Sequence, residues 1–233
     1  MKSVILKFKS PEKQVIPFEH NYYTGIALQQ KYNQIMYSEK LNMHSRLQNN
    51  YTISSIITKN GEIKDNGIYT NQFFIILRSL DDEFINKLKV AFSFYPEIRI
   101  GGTKFSIYEI KDTKIALFNN IVNFKSLSPV LIRYKDKLDN FVTQENEIEP
   151  NLKAWMLNTY YKYTGKKFDI NFSIDIDKIK IKSVMVSSNK IKLRALLLYG
   201  KFKMADPEML RLLYYKGLGS KTGLGLGCWE VTE

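Results

Sequence analysis

The sequence predicts an α+β protein in which one unit, ordered strand, helix, strand, strand, helix, strand, is used twice. Three observations predict it. Apolar residues recur at helical spacing in two places in each half, the segments between them alternate as strands do, and the second half repeats the element order of the first across a join near residues 113–128.

In the first half, "SVILKFKS" alternates as a strand and Pro17 closes the connection after it. Leu28, Tyr32, Ile35 and Met36 then fall on one helical face, so 22–37 is expected as a helix. Strands are expected at 51–58 and 68–78, separated by the turn-rich "KNGEIKDNG". Asp81, Asp82 and Glu83 put negative charge where a helix begins, and Phe84, Leu88, Ala91 and Phe92 give that helix its apolar face. "TKFSIYEIKD" completes the unit as a strand.

The second half opens on "SPVLIRY", read as a strand around Pro129. Leu152, Trp155, Met156, Tyr160 and Tyr163 mark a helix with Pro150 in its first turn. "DKIKIKSVMVSS" and "KIKLRALLLYGKFKM" are two long strands meeting at Asn189. Asp206 caps, and Pro207 begins, the helix "PEMLRLLYYK", whose Met209, Leu212 and Leu213 form a stripe, and "GCWEV" is the last strand. This order is the ferredoxin-like pattern in duplicate. No low-complexity linker separates the copies, so two domains packed together are expected, at 1–118 and 119–233.

At 233 residues, 44% hydrophobic and 13% aromatic, the chain is globular rather than disordered. No apolar run is long enough for a membrane span, and "MKSVILKFKS" carries lysines where a signal peptide would be apolar, so a cytoplasmic protein is expected. The single cysteine, Cys228, excludes an internal disulfide, and two histidines, His20 and His44, make a multi-histidine metal centre an unlikely design. The net charge of +12 suits a polyanionic partner, although a coding bias toward Lys, Asn, Ile and Tyr would produce the same excess.

The stretch "KGLGSKTGLGLGCWEV" concentrates Gly217, Gly219, Gly223, Gly225 and Gly227 around Lys221. Glycines at such density let a backbone present N–H groups to a phosphate at close range. A dinucleotide fingerprint is excluded because the glycines here follow a helix and precede a strand, and a nucleotide-hydrolase loop lacks its Gly-Lys-Ser/Thr. A tight turn that only lets helix and strand pack is the alternative.

Gly-Leu-Gly, five residues including Lys221, then Gly-Leu-Gly resembles the C-terminal motif of the RAMP superfamily of CRISPR-associated proteins, and within it the Cas6 endoribonucleases. "IPFEHNYYTG", "MHSRLQNNYTISS", "SLSPVLIRY" and "GKFKMADPEMLRLLYYKGLGSKTGLGLG" match in order, so the resemblance covers nearly the whole chain. It implies an RNA-binding glycine loop between the two domains, with Lys221 on a phosphate. If the loop backbone touches phosphate, a bulky residue at Gly219 or Gly225 should damage RNA handling more than folding. Lys178, Lys180, Lys182, Lys190, Lys192 and Arg194 alternate along the two long strands and are expected to supply a basic surface for RNA.

The resemblance further implies cleavage of precursor CRISPR RNA without a metal or other cofactor. The RNA's 2′-hydroxyl attacks the adjacent phosphate, giving 2′,3′-cyclic phosphate and 5′-hydroxyl ends. His44 falls where the family carries its catalytic histidine, with a pKa suited to proton transfer, and His20 is grouped with the RNA-binding residues. The family's helper tyrosine and lysine fall in register on Gln29 and Asn49, so Tyr32, Tyr37 and Arg46 are the substitutes, Arg46 as charge stabiliser. Implied partners are precursor and mature CRISPR repeat RNA and other effector-complex subunits, with a homodimer left open and no membrane. A non-catalytic RNA-binding subunit of an effector complex is the competing reading.

Overall fold

The computed structural model describes residues 1–35, 50–114, 116–134, 137–167 and 172–232. The first half runs β1 (Lys2–Ile16), α1 (His20–Asn33), β2 (Tyr51–Ile53), β3 (Glu62–Lys64), β4 (Gly67–Ser79), α2 (Asp82–Phe94), β5 (Glu97–Ile100) and β6 (Thr103–Asp112). Its antiparallel sheet has the order β2-β4-β1-β6-β5, with β3 hairpinned onto β4. Alternation in β1 sends Val4, Leu6 and Phe8 inward, and β4 answers with Phe73, Ile75 and Leu77. Leu28 of α1 and Phe84, Leu88 and Phe92 of α2 cover that face. Asp81 caps α2, its carboxylate accepting from the Glu83 amide over 2.9 Å.

The second half runs β7 (Ile121–Ser126), β8 (Arg133–Tyr134), β9 (Lys137–Phe141), α3 (Glu145–Thr164), β10 (Ser173–Met185), β11 (Lys192–Lys203), α4 (Pro207–Lys216), a single 3-10 turn (Thr222–Leu224) and β12 (Trp229–Thr232). Its antiparallel sheet has the order β10-β11-β7-β12. In the first sheet β1 lies between β4 and β6, and in the second β7 lies between β11 and β12.

Two expectations are corrected. The opening strand of the second half is 121–126, inside the presumed join, because Val122, Phe124 and Ser126 alternate inward there while Asn123 and Lys125 disguise the run. In "SPVLIRY" Val130 and Leu131 instead make isolated bridges, Val130 exchanging both backbone hydrogen bonds with Leu196 and Leu131 bridging Ser220, and only Arg133 and Tyr134 form a strand, β8. The third helix starts at Glu145 rather than at Pro150, since Glu145 and Glu147 supply the acidic first turn and leave Pro150 inside the helix. No helix among the described residues is long and apolar enough to cross a membrane.

The halves are joined along β2 and β4. Ile53 bridges Gly227, and the Ser55 amide donates to Leu127 over 2.9 Å. Arg78 of β4 stacks on the Tyr214 ring at 3.6 Å and donates to the Trp229 carbonyl. On the far side Lys192 pairs with Glu19 at 2.8 Å.

Candidate nucleic-acid interface

The segment after α4 is fastened from both halves. Asn21 of α1 donates to the Gly225 carbonyl over 2.6 Å, Thr52 of β2 to that of Leu226 over 2.9 Å, and Tyr51 to that of Gly223 over 3.3 Å. Two glycines here have no substitute. Gly219 and Gly225 both sit at φ +75°, and an added Cβ would stand 2.3 Å from the Leu131 carbonyl oxygen and 2.5 Å from that of Asn21. On α1, a Cβ at Gly25 would stand 2.6 Å from the Gly223 carbonyl oxygen, so helix and segment touch backbone to backbone.

These contacts divide the segment's amides into two sets. Those of Gly217, Gly225 and Gly227 donate to Leu213, Thr222 and Pro129. The amides of Gly219, Lys221, Thr222 and Gly223 make no hydrogen bond among the described residues. Lys221 lies between them in the left-handed region, at φ 58°, a conformation a side-chain-bearing residue holds at a cost. The carbonyls of Gly223, Gly225 and Leu226 are thus held by the first half, while Gly219, Lys221 and Gly223 lie on the segment's open edge.

That edge borders a cleft of about 750 Å³. Tyr22, Ile26 and Gln29 of α1 form one wall, Trp155, Lys162 and Tyr163 of α3 another, and Val186 to Ser188 of the β10–β11 turn a third. Among the described residues Arg133, Lys162, Lys216 and Lys221 line it, and no carboxylate does. Such a lining attracts polyanions. Burial, with Lys162 nearby, pushes the Lys216 ammonium down to about 8.

Gln29, where the sequence resemblance leads one to expect a tyrosine, lies on the cleft wall and donates to the Tyr51 hydroxyl over 3.1 Å. Tyr32 packs in the core of the first half, its ring 5.2 Å from that of Phe84, and is not among the residues lining the cleft. His20 begins α1 with Nδ1 3.2 Å from the Pro17 carbonyl and Nε2 shielded without a partner among the described residues. Burial, opposed by that hydrogen bond and reinforced by Lys182, brings its pKa down to about 4, so at neutral pH His20 carries no charge to offer a phosphate. His44, Arg46, Tyr37 and Asn49 lie outside the described residues.

Register divides the basic hairpin. Lys178, Lys180 and Lys182 of β10 stand opposite Tyr199, Leu197 and Ala195, whereas Lys192 and Arg194 of β11 stand opposite Met185 and Ser183. Directly opposed residues share a face, so the β10 lysines project from one side of the sheet and Lys192 and Arg194 from the other. Lys190, at φ 59°, is at the exposed tip. Sequence reading missed Tyr22, Arg133 and Lys216 as cleft residues. Lys216 had a visible signal: it continues the stripe of Met209, Leu212 and Leu213 at helical spacing, a charged residue on an apolar face.

A family model described as CRISPR associated protein Cas6, C-terminal, matches residues 110–231, which include the glycine segment and the four cations named in the cleft. The chain belongs to the Cas6 family. Among curated relatives, it is 26% identical over 230 residues to the CRISPR-associated endoribonuclease-like protein Cas6nc of Pyrococcus horikoshii, covering 94% of each chain. It is 24% identical over 232 residues to the CRISPR-associated endoribonuclease Cas6 1 of Methanocaldococcus jannaschii, covering 95% of this chain and 89% of that one. A solved structure described as a RAMP protein binding different RNA substrates superposes over 100% of both chains with a TM-score of 0.86 at 25% identity. The likeness to Cas6 proteins therefore extends over the first half as well, including the α1 wall of the cleft.

Proposed function

We propose that this protein is a metal-independent endoribonuclease that cuts precursor CRISPR RNA within the repeat and keeps hold of the product, working in the cytoplasm. Its two halves, 1–118 and 119–233, act as tandem ferredoxin-like domains with the RNA between them. The observation that carries the reading is the cleft itself: among the described residues it is lined by four cations and no carboxylate, floored by the glycine segment and walled by the helix that precedes, in sequence, the segment carrying His44. Lys221 and the unspent amides beside it bind backbone phosphate. His44 moves the proton in the attack of the 2′-hydroxyl, Arg46 steadies the charge building on the phosphorane, and Tyr37 is the remaining candidate for the second proton.

The experiment is single-turnover cleavage, in EDTA, of RNA carrying the repeat from the protein's own genome. Cleavage should persist, His44→Ala should slow it by about 10² to 10⁴, and a 2′-deoxynucleotide just upstream of the scissile phosphate should abolish it. Cleavage that needs added metal, or that survives the deoxy substitution, overturns the mechanism. A second reading is favoured by one observation, the glutamine at position 29 hydrogen-bonded into the wall where the family resemblance puts a tyrosine. In it the protein is a non-catalytic RNA-binding subunit working with other effector subunits, and wild type would bind repeat RNA without cutting it.

A further inference from the structure

Three cations among the described residues are almost wholly buried: Lys31, Arg78 and Lys216, at 5%, 2% and 7% exposure. Lys31 donates to the Tyr95 carbonyl over 2.9 Å and Arg78 to that of Trp229. Lys216 has no oxygen partner among the described residues, and of the three it alone lines the cleft. Its ammonium lies 5.0 Å from the centre of the Trp155 ring and 5.9 Å from that of Tyr163. Aromatic faces and the C-terminal end of α4 recover part of the cost of burying the charge, but they leave its hydrogen-bond donors unused.

We infer that Lys216 binds a phosphate oxygen of the RNA in the cleft, separate from the phosphate taken by Lys221, with Trp155 and Tyr163 holding its ammonium in place until the RNA arrives. This inference rests on the reading of the cleft as an RNA site. The charged and titratable groups that face Lys216 are Lys162 and Tyr163 of α3; Arg133 and Lys221 share the cleft, and Tyr51 of β2 reaches its wall at Gly223. Burial pushes the Tyr163 and Tyr51 phenols up, which keeps them neutral through the range of the test. An incoming phosphate would supply the anion that this ammonium lacks. Above about pH 8 the free protein must therefore take up a proton when RNA binds, which sets this contact apart from that of an exposed lysine.

The test is fluorescence anisotropy with a labelled single-stranded RNA of mixed sequence, at several salt concentrations and from neutral pH to about 9.5. Lys216→Met keeps the packing on Trp155 and should lower affinity about tenfold and reduce the salt slope by about one counterion. Wild type should weaken as pH rises past about 8, by up to about tenfold in all as it approaches the affinity of the Met variant, which stays flat. Lys216→Arg, which holds its proton throughout, should bind with little pH dependence and serves if the Met variant does not fold. If Lys216→Met matches wild type in affinity, salt slope and pH profile while Lys221→Ala binds less tightly, Lys216 is a packing residue and the inference fails. If wild type does not bind the RNA at all, the reading of the cleft fails and takes the inference with it.

Discussion

The side-chain amide of Asn21 donates to the carbonyl of Gly225 over 2.6 Å, linking the first turn of α1 to a residue 204 positions later. The same amide reaches the Ser55 hydroxyl at 3.1 Å. Removing it leaves a buried carbonyl with no donor. Asn21→Ala should therefore cost about 1–3 kcal/mol, and urea unfolding is the measurement. An unchanged midpoint at unchanged slope would show that the link contributes nothing.

Gly225→Ala should damage folding and RNA binding together, which reverses the expectation drawn from sequence. The new Cβ meets the fixed backbone oxygen of Asn21, and no side chain can step aside. The left-handed conformation alone costs about 1–2 kcal/mol in a residue with a Cβ, with the overlap added to that. Thermal melting beside RNA titration decides it. A variant that melts with wild type yet binds poorly would restore the original expectation.

His20 makes stability fall on the acid side. The unfolded chain takes up a proton near pH 6.5, whereas the folded one refuses it until about pH 4. Unfolding therefore binds the extra proton, and stability drops as pH is lowered through that window, by up to about 3 kcal/mol; above it the effect vanishes. His20→Gln should flatten this part of the profile when the two proteins are compared by denaturant titration. Parallel profiles for the two proteins would mean that the ring is not shielded.

Lys221→Ala should weaken binding to repeat and unrelated RNA by similar factors and lower the salt slope by about one, because a phosphate contact carries no base identity. A loss confined to the repeat sequence would instead make Lys221 a reader of bases.

Much of the fold was legible because the elements announce themselves locally. Asp81 and Asp206 cap the helices expected of them, and β1, β4 and β11 carry clear alternation. β7 was missed because its outward asparagine and lysine break the apolar run that a reader looks for. Of the residues that line the cleft, Gly219, Lys221 and Gly223 stand out in the sequence, whereas its walls do not: Tyr22, Arg133 and Lys216 meet only through packing between elements distant in the chain. Register hid the rest, since Lys182 and Arg194 look alike in sequence and leave opposite faces of one sheet.

The bonds from Tyr51, Thr52 and Asn21 to residues 223–226 also impose an order on assembly. Tyr51 finds its acceptor 172 positions later, and at synthesis rates of about 5–20 residues per second that acceptor emerges on the order of 10 to 35 s afterwards. During that interval the Asn21 amide and the Tyr51 hydroxyl have only their partners within the first half, Ser55 and Gln29, and the carbonyls they will grip are not yet made. The cleft thus closes only after nearly the whole chain has been made, and a ribosome that stalls anywhere before residue 223 leaves its binding site unfinished.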